Sequence, residues 1–197
     1  MSLISHNELI LLQEQGVIQF SDPSLVNAAS IDIRLGNKIL TEVKPYKQPK
    51  VSLKHRDALY MNELTLGEDG YTLEPGEFIL ASSLEIFNLP ETISAEYKLK
   101  SSLARVGLEH LKAGWCDAGW NGSVLTLELV NLTRFHSIQI RPGDKIGQVV
   151  FFRHEQVPSN ASYAQKGRYN GDKEVSGVKK DTVILAEPYI KCTNCED

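Results

Sequence analysis

The stretch ISAEYKLK, residues 93–100, alternates apolar and polar side chains along its whole length. Successive side chains of a β-strand point to opposite faces, so this period of two predicts a strand with one buried face and one polar face. The apolar face holds Ile93, Ala95, Tyr97 and Leu99, and the polar face holds Ser94, Glu96, Lys98 and Lys100.

Four further stretches have strand character, and turn residues separate them. Turn signals recur along the chain, from Asp22-Pro23 and Leu35-Gly36-Asn37 to Pro142-Gly143-Asp144. Many short strands with tight turns predict a mainly β fold, arranged as an antiparallel sandwich, a jelly roll or a distorted barrel. The four stretches are FILAS (78–82), SVLTLELV (123–130), HSIQI (136–140) and KIGQVVFF (145–152).

One short helix is predicted near the N-terminus, with few other helical turns in the chain. Ser5 and Glu8 have the spacing of a capping box, and Gly16 can end a helix. We therefore predict a helix over residues 6–15. Its apolar stripe consists of Leu9, Ile10 and Leu12.

The composition is that of a globular protein, with 42% hydrophobic residues, 23% charged residues and a net charge of −4 over 197 residues. No apolar run approaches the roughly 18 residues of a membrane span. The N-terminal residues lack the basic start and the cleavage site of a secretory signal. We therefore expect a cytoplasmic protein without a membrane partner and, with three cysteines, without a disulfide framework.

The charge also limits the partners. A mildly acidic chain without a basic run is a poor candidate for polymeric nucleic acid, whose phosphates require clustered Lys and Arg. A small anionic ligand needs only a few local positive groups. A nucleotide substrate is therefore compatible with this sequence.

The chain becomes polar and glycine-rich from about Val157 onward. We predict one β-rich catalytic domain, residues 1–156, and a polar C-terminal tail or lid, residues 157–197. Basic and aromatic side chains in this tail could close over a phosphorylated ligand, although a solvated terminus has the same composition. These side chains are Tyr163, Lys166, Arg168 and Tyr169.

Metal-binding signals are weak. Cys192 and Cys195 form one CxxC pair without a second pair of ligands, which is more typical of a frayed terminus than of a zinc site. The zinc deaminase signature, H-x-E followed by P-C-x-x-C, does not occur. We expect no zinc and no metal held by protein side chains.

The segment KSSLARVGL, residues 100–108, places two hydroxyls and two cationic groups close together. If Ser101 or Ser102 caps a helical turn, the hydroxyls, Lys100 and Arg105 converge on a spot suited to phosphate. The alternative is a capped surface turn whose arginine faces solvent.

SVLTLELV carries a carboxylate on an apolar strand. Period-two alternation puts Glu128 on the face of Val124 and Val130, away from the leucines. A carboxylate there must be paired, hydrogen-bonded or raised in pKa, and a raised pKa suits a residue that shuttles protons. The alternative is a glutamate at the rim of the strand, paired with a lysine.

AGWCDAGWNG, residues 113–122, sets Asp117 between two tryptophans on a glycine-rich backbone. In a functional interpretation, Trp115 or Trp120 forms an apolar wall for a flat ligand while Asp117 takes a proton or orients water. The alternative is a tight turn with two core tryptophans.

Several motifs in order resemble the dCTP deaminase branch of the trimeric dUTPase superfamily, and the likeness covers residues 27–177. The motifs are KSSLARVGL, AGWCDAGWNG, LTLELVN and IRPGDKIGQ, preceded by ASIDIRLG (29–36) and EPGEFILASSLEIFNLP (74–90) and followed by YAQKGRY (163–169). This resemblance implies a dUTPase-type fold, a distorted β-barrel, in a homotrimer with active sites at subunit interfaces. It also implies zinc-independent deamination of dCTP to dUTP, with Mg²⁺ carried by the triphosphate.

The resemblance implies a role for each catalytic residue. Glu128 is the general acid/base, Ser101 and Arg105 orient the water and stabilise the adduct at C4, and Arg105 can reach from a neighbouring subunit. The matching aspartate of dUTPases activates the water that attacks the α-phosphate, so Asp117 would permit a bifunctional enzyme that yields dUMP and pyrophosphate. The implied substrate-binding residues are Lys100, Ser102, Gln148, Lys166 and Arg168 at the phosphates, Trp120 at the deoxyribose, and Ala113, Tyr163 and Tyr169.

Two alternatives remain at this level, a dUTP diphosphatase and a trimeric β scaffold that binds a nucleotide without turnover. The register of the chain around Asp117 differs by one residue from the pattern of the resembled family, in which the aspartate comes one residue later. A β-bulge near residues 123–125 would absorb this slip and keep Glu128 on its face.

Overall fold

In the computed structural model of the chain, residues 1–47 and 50–179 are described, and they form short strands with few helices. The helices are α1 (His6–Glu14), α2 (Ser101–Ala104) and α3 (Tyr163–Lys166), with 3₁₀ turns at Pro23–Leu25 and Ser159–Ala161. The strands are β1 (Ser2–Leu3), β2 (Ile18–Gln19), β3 (Ile31–Glu42), β4 (Met61–Thr65), β5 (Tyr71–Leu73), β6 (Phe78–Asn88), β7 (Ile93–Leu99), β8 (Leu108–His110), β9 (Trp115–Cys116), β10 (Asn121–Asn131), β11 (Ile138–Ile140) and β12 (Lys145–Arg153).

One antiparallel sheet curls around the core in the order β8-β10-β6-β3-β12-β7-β9. Strand β3 joins its two halves, because residues 31–34 pair with β12 whereas residues 35–42 pair with β6 and β4. Strands β1 and β2 add to β12 and β6, and β5 pairs with β11 in a separate ribbon. The predicted mainly β, distorted barrel is therefore confirmed.

The alternating stretches form strands as predicted, and their apolar faces build the core. Ile93 and Ala95 are almost fully buried, as are Leu127 and Leu129 of β10. Burial of such side chains is the main favourable term in folding. Strand β6 extends well past the predicted FILAS, to Asn88.

The predicted turn at Leu35-Gly36-Asn37 is wrong, because β3 runs through it. The pairing of β3 with β6 shifts register between Leu35 and Ile39, and a Cβ on Gly36 would lie 2.7 Å from Ser82 Oγ. This glycine permits the close approach of two strands at an irregularity, a second use of glycine that the turn interpretation overlooked.

Helix α1 occupies nearly the predicted range and ends before Gly16, which has a φ of +75°. The predicted capping box is wrong. Ser5 is the N-cap residue, but its side chain makes no capping hydrogen bond. Glu8, the other half of the box, binds Arg153 of β12 instead and ties the helix to the sheet.

The described part of the predicted tail, residues 157–179, packs against the strands. Within it we call residues 169–179 the strap. The strap crosses β10. The N–H of Gly171 donates to the Asn121 carbonyl, and the Asp172 carbonyl accepts from the N–H of Val124. Val175 of the strap is buried. Cys192 and Cys195 lie outside the described residues, and no helix in the described ranges is long and apolar enough to cross a membrane.

Candidate active site

A cavity of about 440 Å³ lies between the strap and the sheet, and we call it the acid cavity. Strands β6 and β10 form its floor, and Tyr169, Ser176 and Val178 contribute from the strap. The cavity brings together six of the residues that the sequence predicted: Ala113, Asp117, Trp120, Glu128, Tyr163 and Tyr169.

Glu128 is the carboxylate on the β10 side of the cavity. Its side chain is 26% exposed, and Oε2 lies 3.1 Å from Nε2 of the buried His110. The predicted alternation holds here, because Leu127 and Leu129 on either side are fully buried in the core. The polar partner is a histidine of β8 and not the lysine of the rim alternative.

Two irregularities set the register of β10. Its pairing with β6 shifts between Asn121 and Ser123 and again between Val124 and Thr126. The predicted bulge in this region is therefore confirmed. Beyond it Glu128 pairs regularly with Leu80, so its side chain keeps its place on the alternating strand.

Asp117 also lines the acid cavity, and it lies in the glycine-rich loop. Its Oδ1 accepts a 2.8 Å hydrogen bond from the indole N–H of Trp115. Trp115 is exposed, so it does not belong to the core. Gly119 has a φ of +85°, and a Cβ there would collide with Ser162 Oγ, so the loop needs glycine at this position.

Trp120 forms an apolar wall of the cavity, as the sequence suggested. Its ring stacks on Phe87 with centroids 5.4 Å apart, and it is only 6% exposed. The indole N–H donates a 3.0 Å hydrogen bond to the carbonyl oxygen of Tyr169. The wall and the strap are thus joined directly.

A second cavity, of about 370 Å³, adjoins the first, and we call it the basic cavity. It is lined by the predicted phosphate ligands Lys166 and Arg168, and it shares three lining residues with the acid cavity. The shared residues are Asp117, Tyr163 and Tyr169. Asp117 is therefore the carboxylate that borders both spaces.

Two further predicted phosphate ligands, Lys100 and Gln148, lie in a separate polar cluster around Asp32 of β3. Lys100 Nζ donates a 2.7 Å hydrogen bond to Asp32 Oδ1, and Ser30 Oγ donates a 3.0 Å hydrogen bond to Gln148 Oε1. Burial raises the pKa of Asp32, but hydrogen bonds from Lys100 and Asn27 outweigh it, so the pKa lies below its ordinary value.

Helix α2 carries the predicted hydroxyls and guanidinium, but not as the sequence suggested. Lys100 is the N-cap residue, so the prediction that Ser101 or Ser102 caps the turn is wrong; both serines lie inside the first turn. Ser101, Ser102 and Arg105 are exposed, and they do not line the acid cavity of their own chain.

Three further residues at the site carried no recognised signal in the sequence. His110 meets Glu128, Asp172 of the strap lines the acid cavity, and Cys116 lies in its wall. Burial, with a smaller effect of Asp117, raises the pKa of the Cys116 thiol to about 12. Asp172 binds Lys179 and Ser176 within the strap. His110 and Glu128 meet only because β8 pairs with β10, so no local pattern marked this contact.

Across residues 1–47 and 50–179, no group of three or more His, Cys, Asp or Glu side chains is arranged to hold a metal ion.

Known proteins resemble this chain in sequence and in fold. The sequence model of the dCTP deaminase-like family matches residues 3–154. A dCTP deaminase, dUMP-forming, from Acidothermus cellulolyticus is 37% identical over 158 residues, which cover 77% of this chain and 80% of that protein. A protein of the same name from a Nocardioides species is 35% identical over 179 residues, or 87% of this chain and 91% of that protein.

Among solved structures, 2′-deoxycytidine 5′-triphosphate deaminase from Agrobacterium tumefaciens shares the fold, with a TM-score of 0.59 and 25% identity. The match covers 76% of this chain and 47% of that one, so this chain spans about half the length of the Agrobacterium chain. The fold and the relatives define a mainly β enzyme of the hydrolase class. The chain belongs to the dCTP deaminase-like family.

Proposed function

We propose that the protein deaminates dCTP without zinc and then hydrolyses the resulting dUTP, so that dUMP and pyrophosphate are released. The observation that carries this proposal is the placement of Glu128 and Asp117: Glu128 lines the acid cavity, whereas Asp117 lines both the acid and the basic cavity. The relatives named dUMP-forming favour the two-step reaction over deamination alone.

In the first step water adds to C4 of the cytosine and ammonia leaves. Glu128 accepts a proton from the attacking water, delivers it to N3 of the ring, and then helps to move a proton to the departing amino group. The overall change is dCTP plus water to dUTP plus ammonia. Trp120 packs against the deoxyribose, where a 2′-hydroxyl would have no room beside the ring.

In the second step water attacks the α-phosphorus of dUTP. The bond between that phosphorus and the bridging oxygen breaks, and pyrophosphate leaves. Asp117 takes the proton of this water, and its position between the two cavities suits a nucleotide whose base lies near Glu128 and whose phosphates lie near Lys166 and Arg168. Mg²⁺ enters with the triphosphate and offsets its charge.

A homotrimer would complete the site. Ser101 and Arg105 are exposed and do not line their own acid cavity, so they serve the cavity of a neighbouring subunit, where they orient the water and stabilise the C4 adduct. Exposed apolar side chains next to α2, Val106 and Leu132, are typical of a covered interface. Leu132 is held beside α2 by a 2.8 Å hydrogen bond from its N–H to the Gly107 carbonyl.

The test is a product assay with dCTP, dUTP and dCMP in the presence of Mg²⁺, with separation by ion exchange. We expect dCTP to give dUMP and pyrophosphate. Glu128→Gln keeps the shape but cannot transfer a proton, so dCTP deamination should fall by about 10²–10⁴-fold while dUTP hydrolysis persists. Glu109→Gln, on the neighbouring strand β8, is the matched control and should keep both activities. Full deamination by Glu128→Gln, or no turnover of any substrate, would overturn the proposal.

The shared site has its own test. We expect Glu128→Gln and Ser101→Ala to be inactive separately, and their mixture, refolded together, to regain part of the deaminase activity. Recovery is expected because a trimer that contains both variants has one interface at which an intact Glu128 from one subunit meets an intact Ser101 from the next subunit. Absence of recovery, with mixed trimers shown by mass spectrometry, would place both residues in the same subunit.

A further inference from the structure

His110 is a buried side chain that directly faces the proposed proton carrier. It is 4% exposed, lies on β8 opposite Leu129 of β10, and brings Nε2 to 3.1 Å from Glu128 Oε2. Both atoms are buried, and neither has an aligned hydrogen-bond partner among the described residues. Buried polar atoms are rarely left without a partner, so this pair needs a functional or structural reason.

The imidazole also packs against the ring of Tyr97 of β7. The two ring centroids lie 4.5 Å apart at an angle of 58°, and the Tyr97 hydroxyl donates a 3.2 Å hydrogen bond to the Ile146 carbonyl. Burial and the nearby Glu128 raise the pKa of Tyr97, so its hydroxyl stays protonated. Within residues 1–47 and 50–179, Glu128 and Tyr97 are the titratable side chains that contact the ring.

The backbone adds a further restraint on this pair. The N–H of Leu111 donates to the carbonyl oxygen of Glu128 at 3.2 Å, immediately after the β8–β10 pairing ends. His110 and Glu128 are therefore fixed relative to each other by main chain as well as by packing. The distance of 3.1 Å between Nε2 and Oε2 is already within hydrogen-bond range, so a small rotation of the carboxylate or of the imidazole would align the bond.

We propose that His110 is a positioning residue for deamination, which donates its Nε2–H to Oε2 of Glu128 and leaves Oε1 free to face the pyrimidine. With one oxygen fixed, the proton taken from water resides on the other oxygen, where the ring nitrogen can receive it. His110 itself neither gains nor loses a proton. This inference rests on the proposed role of Glu128.

The experiment compares two replacements of the same residue. His110→Phe keeps a ring but removes the donor, whereas the side-chain amide N–H₂ of His110→Gln can reach the place of Nε2–H. For His110→Phe we expect kcat for dCTP deamination to fall about 10–100-fold with KM nearly unchanged, and dUTP hydrolysis to persist. His110→Gln should recover most of the lost rate.

A pH profile separates positioning from mere packing. A hydrogen bond to a carboxylate favours its ionised form, so loss of the donor should move the acidic limb of the kcat profile for deamination to higher pH. Tyr97→Phe is the packing control, since it keeps the ring beside His110 and should leave this limb in place. An unmoved limb in His110→Phe, or a His110→Gln enzyme as slow as His110→Phe, would overturn the proposal.

The outcomes also separate this inference from the proposed function. If Glu128→Gln retains deamination, the proposed function fails whatever His110 does. If Glu128→Gln is inactive and His110→Phe is fully active, only the role of His110 fails. Should His110→Phe not fold, His110→Asn takes its place, because its shorter amide cannot reach Glu128; it should lose the deamination rate that His110→Gln keeps, and equal rates for these two variants would overturn the proposal.

Discussion

The indole N–H of Trp115 donates a 2.8 Å hydrogen bond to Oδ1 of Asp117, and this bond holds the carboxylate at the boundary between the acid and basic cavities. Trp115 is exposed, so it contributes here through its polar edge and not as a wall. Its ring lies over Phe152, with centroids 6.1 Å apart, which limits its rotation. The loop thus fixes the direction of Asp117 from outside the core.

Asp117→Asn should separate the two proposed steps. The amide still accepts the indole hydrogen bond but cannot take a proton from water, so hydrolysis of dUTP should fall by about 10²–10⁴-fold. With dCTP as substrate, dUTP should then accumulate in place of dUMP. Trp115→Phe, which only loosens the carboxylate, should give a smaller loss. An unchanged dUMP yield from Asp117→Asn would remove Asp117 from the second step.

The strands and the carboxylates of the site could be predicted from the sequence, because each depends on a pattern of a few consecutive residues. Alternation identified β7 and β10 and placed Glu128 away from the leucines, since the period of a strand is a property of a few consecutive residues. Gly36 was misinterpreted because glycine marks both turns and close strand contacts, and only the partner strand distinguishes them.

The remaining parts of the site depend on pairings across the chain. His110 and Glu128 are 18 positions apart and meet only because β8 pairs with β10. The strap could be predicted as a possible lid, but its docking on Trp120 depends on contacts some 49 positions apart. In the proposed trimer, Ser101 and Arg105 reach Glu128 only from a second copy of the chain, which no local pattern specifies.

Asp32→Asn should lower stability in a way that depends on pH. Its pKa lies below the ordinary value of 3.8 in the folded state, so the carboxylate stabilises the fold above that pH and loses this effect as the pH falls through the folded pKa. At neutral pH we expect a loss of about 1–3 kcal/mol, because Lys100 is left beside a neutral amide. Urea unfolding at a series of pH values measures the difference in the free energy of unfolding between the wild type and Asp32→Asn. If this difference does not shrink in acid, the assignment is contradicted.

Glu85→Gln should show the opposite dependence. Burial raises the pKa of Glu85 above its ordinary 4.5, although two hydrogen bonds from Arg34, at 2.9 Å and 2.8 Å, act against this. The folded state therefore retains the proton to higher pH than the unfolded state, and the contribution of Glu85 to stability falls as the pH rises through the folded pKa. The difference in the free energy of unfolding between the wild type and Glu85→Gln, measured by urea unfolding, should shrink as the pH increases above about 4.5. A difference that grows over this range would contradict the assignment.

Gly147→Ala tests the packing behind the His110 and Tyr97 pair. A Cβ on Gly147 would lie 2.0 Å from the Tyr97 ring, so the ring must move from its place against His110. Overpacking of this kind costs about 1–3 kcal/mol, which corresponds to a melting temperature lower by about 2–4 °C for each kcal/mol. Gly67→Ala is the matched control: nothing lies within 4 Å of its Cβ, and the added methyl should leave stability equal or slightly higher.

Because Tyr97 holds the imidazole, Gly147→Ala should also slow deamination more than dUTP hydrolysis. Equal melting temperatures for the two variants would show that the ring adjusts freely, and the restraint on His110 would then have to come from the backbone alone.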